Sequence, residues 1–205
     1  MEGIYSMEGD FCRLREICAL KQRYGALLYL DEAHSIGAVG ATGRGVTEVL
    51  GVPPSAVDVM MGTFSKSFGS QGGYIAGAAD VIQNLRHASA ATVYGVSMSP
   101  ACAAQTFLAL DVIRNDRVRG RRKLEAIRRN ANYFRRRLIE MGFYVLGDTD
   151  SPVVPILVNV GCFPEFSGWL LDQGVAVVVV GLVAPVAMVA PVVVVVAAVV
   201  VSHKL

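Results

Sequence analysis

Only four of the 205 residues are cysteine (Cys12, Cys18, Cys102 and Cys162), and no two of them form a C-x-x-C pair. That spacing argues against a zinc site and against a disulfide framework, and makes a reducing compartment the simpler expectation. Charge of one sign is also scarce. Nineteen Lys+Arg against 17 Asp+Glu leave a net charge of +2, so nothing global calls for a nucleic-acid partner or an acidic surface. No Gly-Lys-Ser/Thr follows a glycine loop, which disfavours a P-loop enzyme. Gly95-Val96-Ser97-Met98-Ser99 lacks the second glycine of a nucleophile elbow, which disfavours a serine hydrolase. Met1 to Ser6 has no basic stretch leading into an apolar run; it is expected to be neither signal peptide nor transit sequence, and reads like the middle of a domain.

What is present is apolar: 53% hydrophobic residues against 18% charged, enough to bury a substantial core. Leu14, Ile17, Cys18 and Leu20 follow helical spacing, with Tyr24-Gly25 as the stop. Ala26 to Leu30 is short, apolar and non-alternating, as expected of a strand buried on both faces, and it runs into Asp31-Glu32-Ala33-His34. Glycines 37, 40, 43 and 45 punctuate a loop, followed by a short helix over Val46–Leu50 and a second strand over Val57–Met61. A strand at Gly73–Gly77 and helices at Ala79–His87 and Pro100–Asn115 continue the alternation. The fold class predicted is α/β with a mostly parallel sheet, its ligands held at the carboxyl ends of the strands, where Asp31 and Lys66 both fall.

Arg117 to Met141 reads as a long helix closed by Gly142, and Phe143–Val145 and Val153–Val158 as strands of a smaller unit. Arginines 114, 117, 119, 121, 122, 128, 129, 135, 136 and 137 and Lys123 crowd this helix and its start. Such a run is usually a solvated or partner-facing surface; an anionic membrane or coenzyme A would also suit it, and nucleic acid is the less favoured reading. From Val175 to Val201 nearly every residue is Val or Ala. The stretch is long enough to span a bilayer, yet β-branched valines with Pro185 and Pro191 make a poor helix, and Val175–Val180 resembles a buried strand.

The chemistry is concentrated at Gly62-Thr63-Phe64-Ser65-Lys66-Ser67-Phe68-Gly69, where an apolar strand delivers one amine among small hydroxyl residues and glycine turns. A lysine amine becomes nucleophilic when desolvated and forms Schiff bases with carbonyl cofactors. Thr63, Ser65 and Ser67, with neighbouring backbone N–H groups, suit a phosphate. Asp31, closing a buried strand, needs a cationic partner or several hydrogen bonds. A protonated pyridine nitrogen at about 4 Å would gain roughly 4 kcal/mol at an effective dielectric of about 20, some three pKa units. A helix cap or an ion pair with Arg44 is the alternative for Asp31. His34 fits either a hydrogen bond to a cofactor or substrate oxygen or a purely structural role.

Ser6-Met7-Glu8-Gly9-Asp10, Leu30-Asp31-Glu32-Ala33-His34-Ser35, Gly43-Arg44-Gly45 and Gly62-Thr63-Phe64-Ser65-Lys66, taken in order, resemble the α-oxoamine synthases. These are fold-type-I pyridoxal-phosphate enzymes that condense an amino acid with an acyl-coenzyme A and release carbon dioxide. Within the family, Glu2 to Gly9 and the Thr-Phe-Ser-Lys-Ser-Phe form resemble the catalytic long-chain-base subunit of serine palmitoyltransferase. The aminolevulinate and aminoketobutyrate branches are the alternative, and a non-catalytic partner subunit is a further one. The resemblance implies pyridoxal 5'-phosphate as cofactor, with Lys66 as the catalytic Schiff-base lysine, Asp31 as partner of the pyridinium and His34 as contact to its oxygen. It also implies Thr63 as phosphate ligand, Ser6 near the ring, and Ser97 on a stretch reaching across a dimer interface. Implied partners are L-serine, a long-chain acyl-coenzyme A and a like or related subunit, at the cytosolic face of the endoplasmic reticulum membrane.

The same resemblance assigns residues 1–115 to part of a pyridoxal-phosphate-binding large domain, 116–180 to part of a smaller C-terminal domain, and 181–205 to an atypical Val/Ala tail. It extends from Met1 to about Val180. The family's carboxylate-gripping arginine has no counterpart in Leu182–Ser202, which contains no arginine or lysine. The expectation is therefore a chain catalytic in kind that binds serine poorly as it stands.

Overall fold

The computed structural model describes residues 1–159, 163–173, 178–181 and 192–198. The chain divides into two compact units. The first comprises Met1–Ile4 with Cys12–Glu125, and the second Tyr5–Phe11 with Ala126–Leu205.

In the first unit, helix α1 (Leu14–Tyr24) buries Leu14 and Cys18 on one face and ends at Gly25 in the left-handed conformation. Strand β1 (Tyr29–Asp31) starts later than the apolar run predicts. Its surroundings correct the expectation of double burial: Leu28 and Leu30 are buried, whereas Leu27 is 87% and Tyr29 50% exposed. The run is apolar throughout, so the sequence does not show which alternate residues are covered. Asp58 ties the start of this strand to its neighbours, accepting from the Leu28 N–H at 2.7 Å and pairing with the Lys21 ammonium at 2.7 Å.

Strand β2 (Val59–Thr63) runs parallel to β1, with Asp31 opposite Met61, so Asp31 and Thr63 emerge at the same end of the sheet. Strand β3 (Gly73–Gly77) pairs antiparallel with β2, Thr63 facing Gly73, so the described three-stranded sheet is mixed. The loop 64–72 is the reason: a parallel return needs a crossover of about a dozen residues or more, and this loop is shorter. Helix α2 (Val46–Val49) follows the glycine loop. Beyond β3 come α3 (Ala79–Ala88), a short α4 (Ala90–Tyr94) that the sequence reading did not separate, and α5 (Pro100–Arg114). Ser99 caps α5 by accepting from the Cys102 N–H, with Pro100 at its first position.

Helix α6 (Arg117–Glu140) carries the chain into the second unit. Ala131 and Leu138, seven residues apart and hence on one face, pack with Val154 and Ile156 in that unit's core. Arg135 lies on this face too. It is 8% exposed and donates to the Val153 carbonyl at 3.0 Å, so it does not belong to the solvated charge run expected of this helix. Arg119, Arg128 and Arg137 form ion pairs with Asp116, Asp150 and Glu140. The unit's sheet is antiparallel, in the order β4 (Tyr144–Val145), β5 (Val153–Asn159), β7 (Val192–Ala198), β6 (Val178–Gly181), with α7 (Phe163–Asp172) between β5 and β6 in sequence. Part of the Val/Ala stretch is thus strand. Among the described residues no helix is long and apolar enough to cross a membrane. The predicted strand start at 175–177 and the stretches 182–191 and 199–205 lie outside the described residues.

Candidate functional site

Successive side chains along a strand point to opposite sides, and at the end of β1 this sends two adjacent carboxylates to different tasks. Asp31 stays half-buried at the strand end, where Oδ1 accepts from the Ala33 N–H at 2.8 Å and turns the chain. Glu32 is buried: Oε2 accepts from the Ser35 hydroxyl and from the Val46 N–H at 3.0 Å, fastening the start of α2 beneath the strand end. Burial pushes the Glu32 carboxyl above its ordinary pKa, against the lowering effect of these bonds. Sequence reading assigned no role to Glu32 or Ser35. The available signal was that a glutamate directly after an outward-facing strand aspartate faces inward.

His34 follows on this turn, and Lys66 sits on the loop leaving β2. The structure brings them together: Lys66 Nζ lies 2.9 Å from His34 Nε2. Both pKa values move down. Burial is the main cause for His34, reinforced by the Lys66 charge, so neutral imidazole is favoured and can accept from the ammonium. For Lys66 burial of the amine end outweighs the opposing pull of Asp31 and Glu2. At a given pH more of the amine is therefore neutral and nucleophilic than for an ordinary lysine. Reductive labelling of Lys66 by a small aldehyde is accordingly expected to titrate with a midpoint below 10.5, read residue by residue by mass spectrometry; a midpoint at or above that value would contradict the burial argument.

The loop carrying Lys66 is fixed from several sides. Phe64 N–H donates to the Gly72 carbonyl at 2.9 Å and Ser70 N–H to the Phe64 carbonyl at 2.8 Å, closing it on itself. Phe68, 2% exposed, anchors it and meets Phe64 edge-on at 5.6 Å between ring centres. From α5, Gln105 donates to the Phe68 carbonyl at 3.1 Å, and Ser70 donates to the Cys102 carbonyl at 2.8 Å. Gly37, at φ 73°, lets the His34 turn approach this loop, since a Cβ there would lie 2.9 Å from that of Ser67. None of these tethers was legible as function in the sequence.

Thr63 Oγ1 stands 2.8 Å from Ser65 Oγ and 3.2 Å from the Gly72 carbonyl, so two of the hydroxyl residues expected to hold phosphate sit together at the start of the loop that carries Lys66. Ser97 lies on an exposed loop between α4 and α5, and Ser6 belongs to the second unit, on the turn closed by the Gly9 N–H donating to the Tyr5 carbonyl. The alternative ion pair between Asp31 and Arg44 does not form. Among the described residues no lysine or arginine pairs with Asp31, which leaves its carboxylate available to a cationic ring nitrogen. No group of metal-ligating side chains occurs among the described residues. Lys66, His34, Asp31 and Thr63 thus fit pyridoxal phosphate: an amine of lowered pKa, a neutral imidazole against it, an unpaired carboxylate at the strand end, and clustered hydroxyls.

Comparison with known proteins identifies the family of this chain. The family described as "Aminotransferase class I and II" matches residues 1–184. Long chain base biosynthesis protein 2b of Arabidopsis thaliana is 55% identical over 187 residues, covering 90% of this chain and 38% of that protein. Serine palmitoyltransferase 3 of Homo sapiens is 49% identical over 187 residues, covering 90% of this chain and 34% of that protein. The chain thus spans little more than a third of the length of these relatives. Among solved structures, Sphingomonas wittichii serine palmitoyltransferase superposes with a TM-score of 0.85 at 28% identity, over 99% of this chain and 49% of that one. A solved SPT with a PLP internal aldimine superposes at 0.82 with 29% identity, over 96% of this chain and 48% of that one.

Proposed function

Since this chain belongs to the class I and II aminotransferase family, we propose that it is part of a pyridoxal-phosphate-dependent acyltransferase that condenses L-serine with a long-chain acyl-coenzyme A. The product, after loss of carbon dioxide, is 3-ketosphinganine, and the reaction opens sphingolipid synthesis. The observation that carries the proposal is the Lys66–His34 contact at the end of a strand that also presents Asp31. The identity of about half to relatives named for long-chain-base synthesis supports the choice of substrates.

When bound, pyridoxal phosphate supplies an electron-withdrawing ring that stabilises negative charge at the substrate's α-carbon. The chain's residues do the rest. Lys66 would anchor the cofactor and, as a free amine, would accept the substrate's α-proton on Nζ, for which its lowered pKa suits it. Neutral His34 holds the amine in place through Nε2 and would donate from its other ring nitrogen to an oxygen of the cofactor. Asp31 would keep the ring nitrogen protonated, and Thr63 with Ser65 would bind phosphate oxygens. Adding pyridoxal phosphate to the assembled enzyme, reducing with borohydride and mapping the label tests the anchor. Serine, glycine and alanine offered in turn test the substrate, and a preference for glycine would favour the aminolevulinate or aminoketobutyrate branch instead.

Assembly with a like or related subunit belongs to the same proposal. Tyr94, Val96 and Phe107 are 86%, 99% and 70% exposed, large apolar side chains of the kind a subunit interface covers. Light scattering on the assembled enzyme is expected to give a dimer or larger, and a monomer would overturn this part. Location at the cytosolic face of the endoplasmic reticulum membrane completes the proposal, with cell fractionation as its check.

A further inference from the structure

Between the glycine loop, Phe68, the end of α5 and the start of α6, the first unit forms an open-sided cavity of about 590 Å³. Three arginines line it, Arg44 from the glycine loop, Arg114 from the end of α5 and Arg121 from the start of α6, over an apolar wall that includes Phe68, Leu110 and Leu124. No carboxylate among the described residues pairs with any of the three. The nearby acids are engaged elsewhere. Glu48 accepts from the Thr42 N–H and hydroxyl and from the Arg44 N–H, Asp111 from the Asn115 side chain, and Asp116 from Arg119. The loop's backbone donors at Thr42, Gly43 and Arg44 are likewise taken, so the guanidinium groups are the donors left for a ligand.

Three like charges around one concavity repel, and an anion relieves that repulsion. Guanidinium forks match the geometry of phosphate oxygens. The volume far exceeds that of a free phosphate and falls in the range of small-molecule sites, while the apolar wall calls for a hydrophobic or aromatic group attached to the anion. We infer that the Arg44–Arg114–Arg121 cavity binds a phosphate monoester or diphosphate joined to an apolar or aromatic group. Two sources carry that chemistry: the nucleotide end of a coenzyme A thioester, and the headgroup of a phosphate lipid. The inference stands on the cavity and does not rest on the reading of Lys66.

Calorimetric titration of the assembled enzyme with adenosine 3',5'-bisphosphate, with a monoacyl glycerol phosphate kept below its micelle concentration, and with inorganic phosphate tests it. Saturable binding of at least one of the first two is expected, weakened about tenfold or more by R114A or R121A, and weakened again by salt. Binding of the nucleotide alone identifies the thioester as the source, and binding of the lipid alone identifies the membrane. Arg44, Arg114 and Arg121 are exposed, so their substitution leaves the fold intact, with circular dichroism as the check. The inference is overturned if neither amphiphile binds, if inorganic phosphate binds as tightly as both, or if none of R44A, R114A and R121A changes affinity. The reducible label on Lys66 is expected to persist in all three variants, which separates this outcome from failure of the catalytic reading.

Discussion

Replacing Lys66 with alanine is expected to remove the borohydride-reducible pyridoxyl label and to lower turnover of the assembled enzyme by on the order of a thousandfold or more. The size of the effect follows from two losses at one atom. In the proposed reaction Nζ both anchors the cofactor and serves as the base, and it lies 2.9 Å from His34 with its pKa lowered by burial. No other described lysine replaces it at this position: Lys21 is paired with Asp58 on α1, and Lys123 lies on α6. Because Lys66 is exposed as a residue and its loop is held by Phe68, Gln105 and Ser70, K66A is expected to keep the fold, with circular dichroism unchanged. K66R separates charge from chemistry, retaining a cation that forms no Schiff base, and should be as inactive as K66A. A pyridoxyl label recovered at undiminished stoichiometry from K66A would refute the assignment.

Gly45→Ala is expected to be the most damaging of the small substitutions around the site, costing about 3 kcal/mol or more of stability. Gly45 adopts φ 79° and ψ −159°, a backbone region that is essentially glycine's alone. A Cβ there would also come within 2.3 Å of Glu32 Oε2, the atom that accepts from the Val46 N–H and the Ser35 hydroxyl. Relief would require moving a buried carboxylate off its donors, leaving an N–H and a hydroxyl unsatisfied. For a protein of this size about 3 kcal/mol corresponds to a Tm lower by roughly 6–12 °C. Since Glu32 adjoins Asp31, loss of cofactor affinity should accompany the loss of stability. A G45A protein melting within about 2 °C of the parent would show that the loop accommodates the side chain.

The α/β class and the positions of Asp31, His34, Thr63 and Lys66 were legible because they depend on local pattern. Apolar runs of strand length end in polar residues at the edge where a sheet opens to ligands, and small hydroxyl residues flank one lysine. Strand direction was less so. The shortness of the loop 64–72 was visible, but that it returns as the antiparallel partner of β2 is a pairing decision made by distant backbone groups. Burial of individual residues in a uniformly apolar or uniformly basic run was not legible at all. Leu27 and Leu28 look alike in sequence yet differ from 87% to 6% exposure, and Arg135 is buried among arginines that are not.

The sequence by itself determined that one lysine, delivered by an apolar strand into a glycine- and hydroxyl-rich turn, shares a sheet end with an aspartate and a histidine; strand polarity and side-chain type are enough for that. Only the tertiary structure decided that Lys66 and His34 touch, that Glu32 rather than Asp31 is the buried carboxylate, and that three arginines from separate elements ring one cavity. Those outcomes depend on how closely segments far apart in the chain approach, and so on where Gly37 and Gly45 remove a Cβ and where Phe68, Ser70 and Gln105 hold a loop in place. Periodicity records which residues a strand or helix presents. Contact distance is set by the packing of the elements against one another.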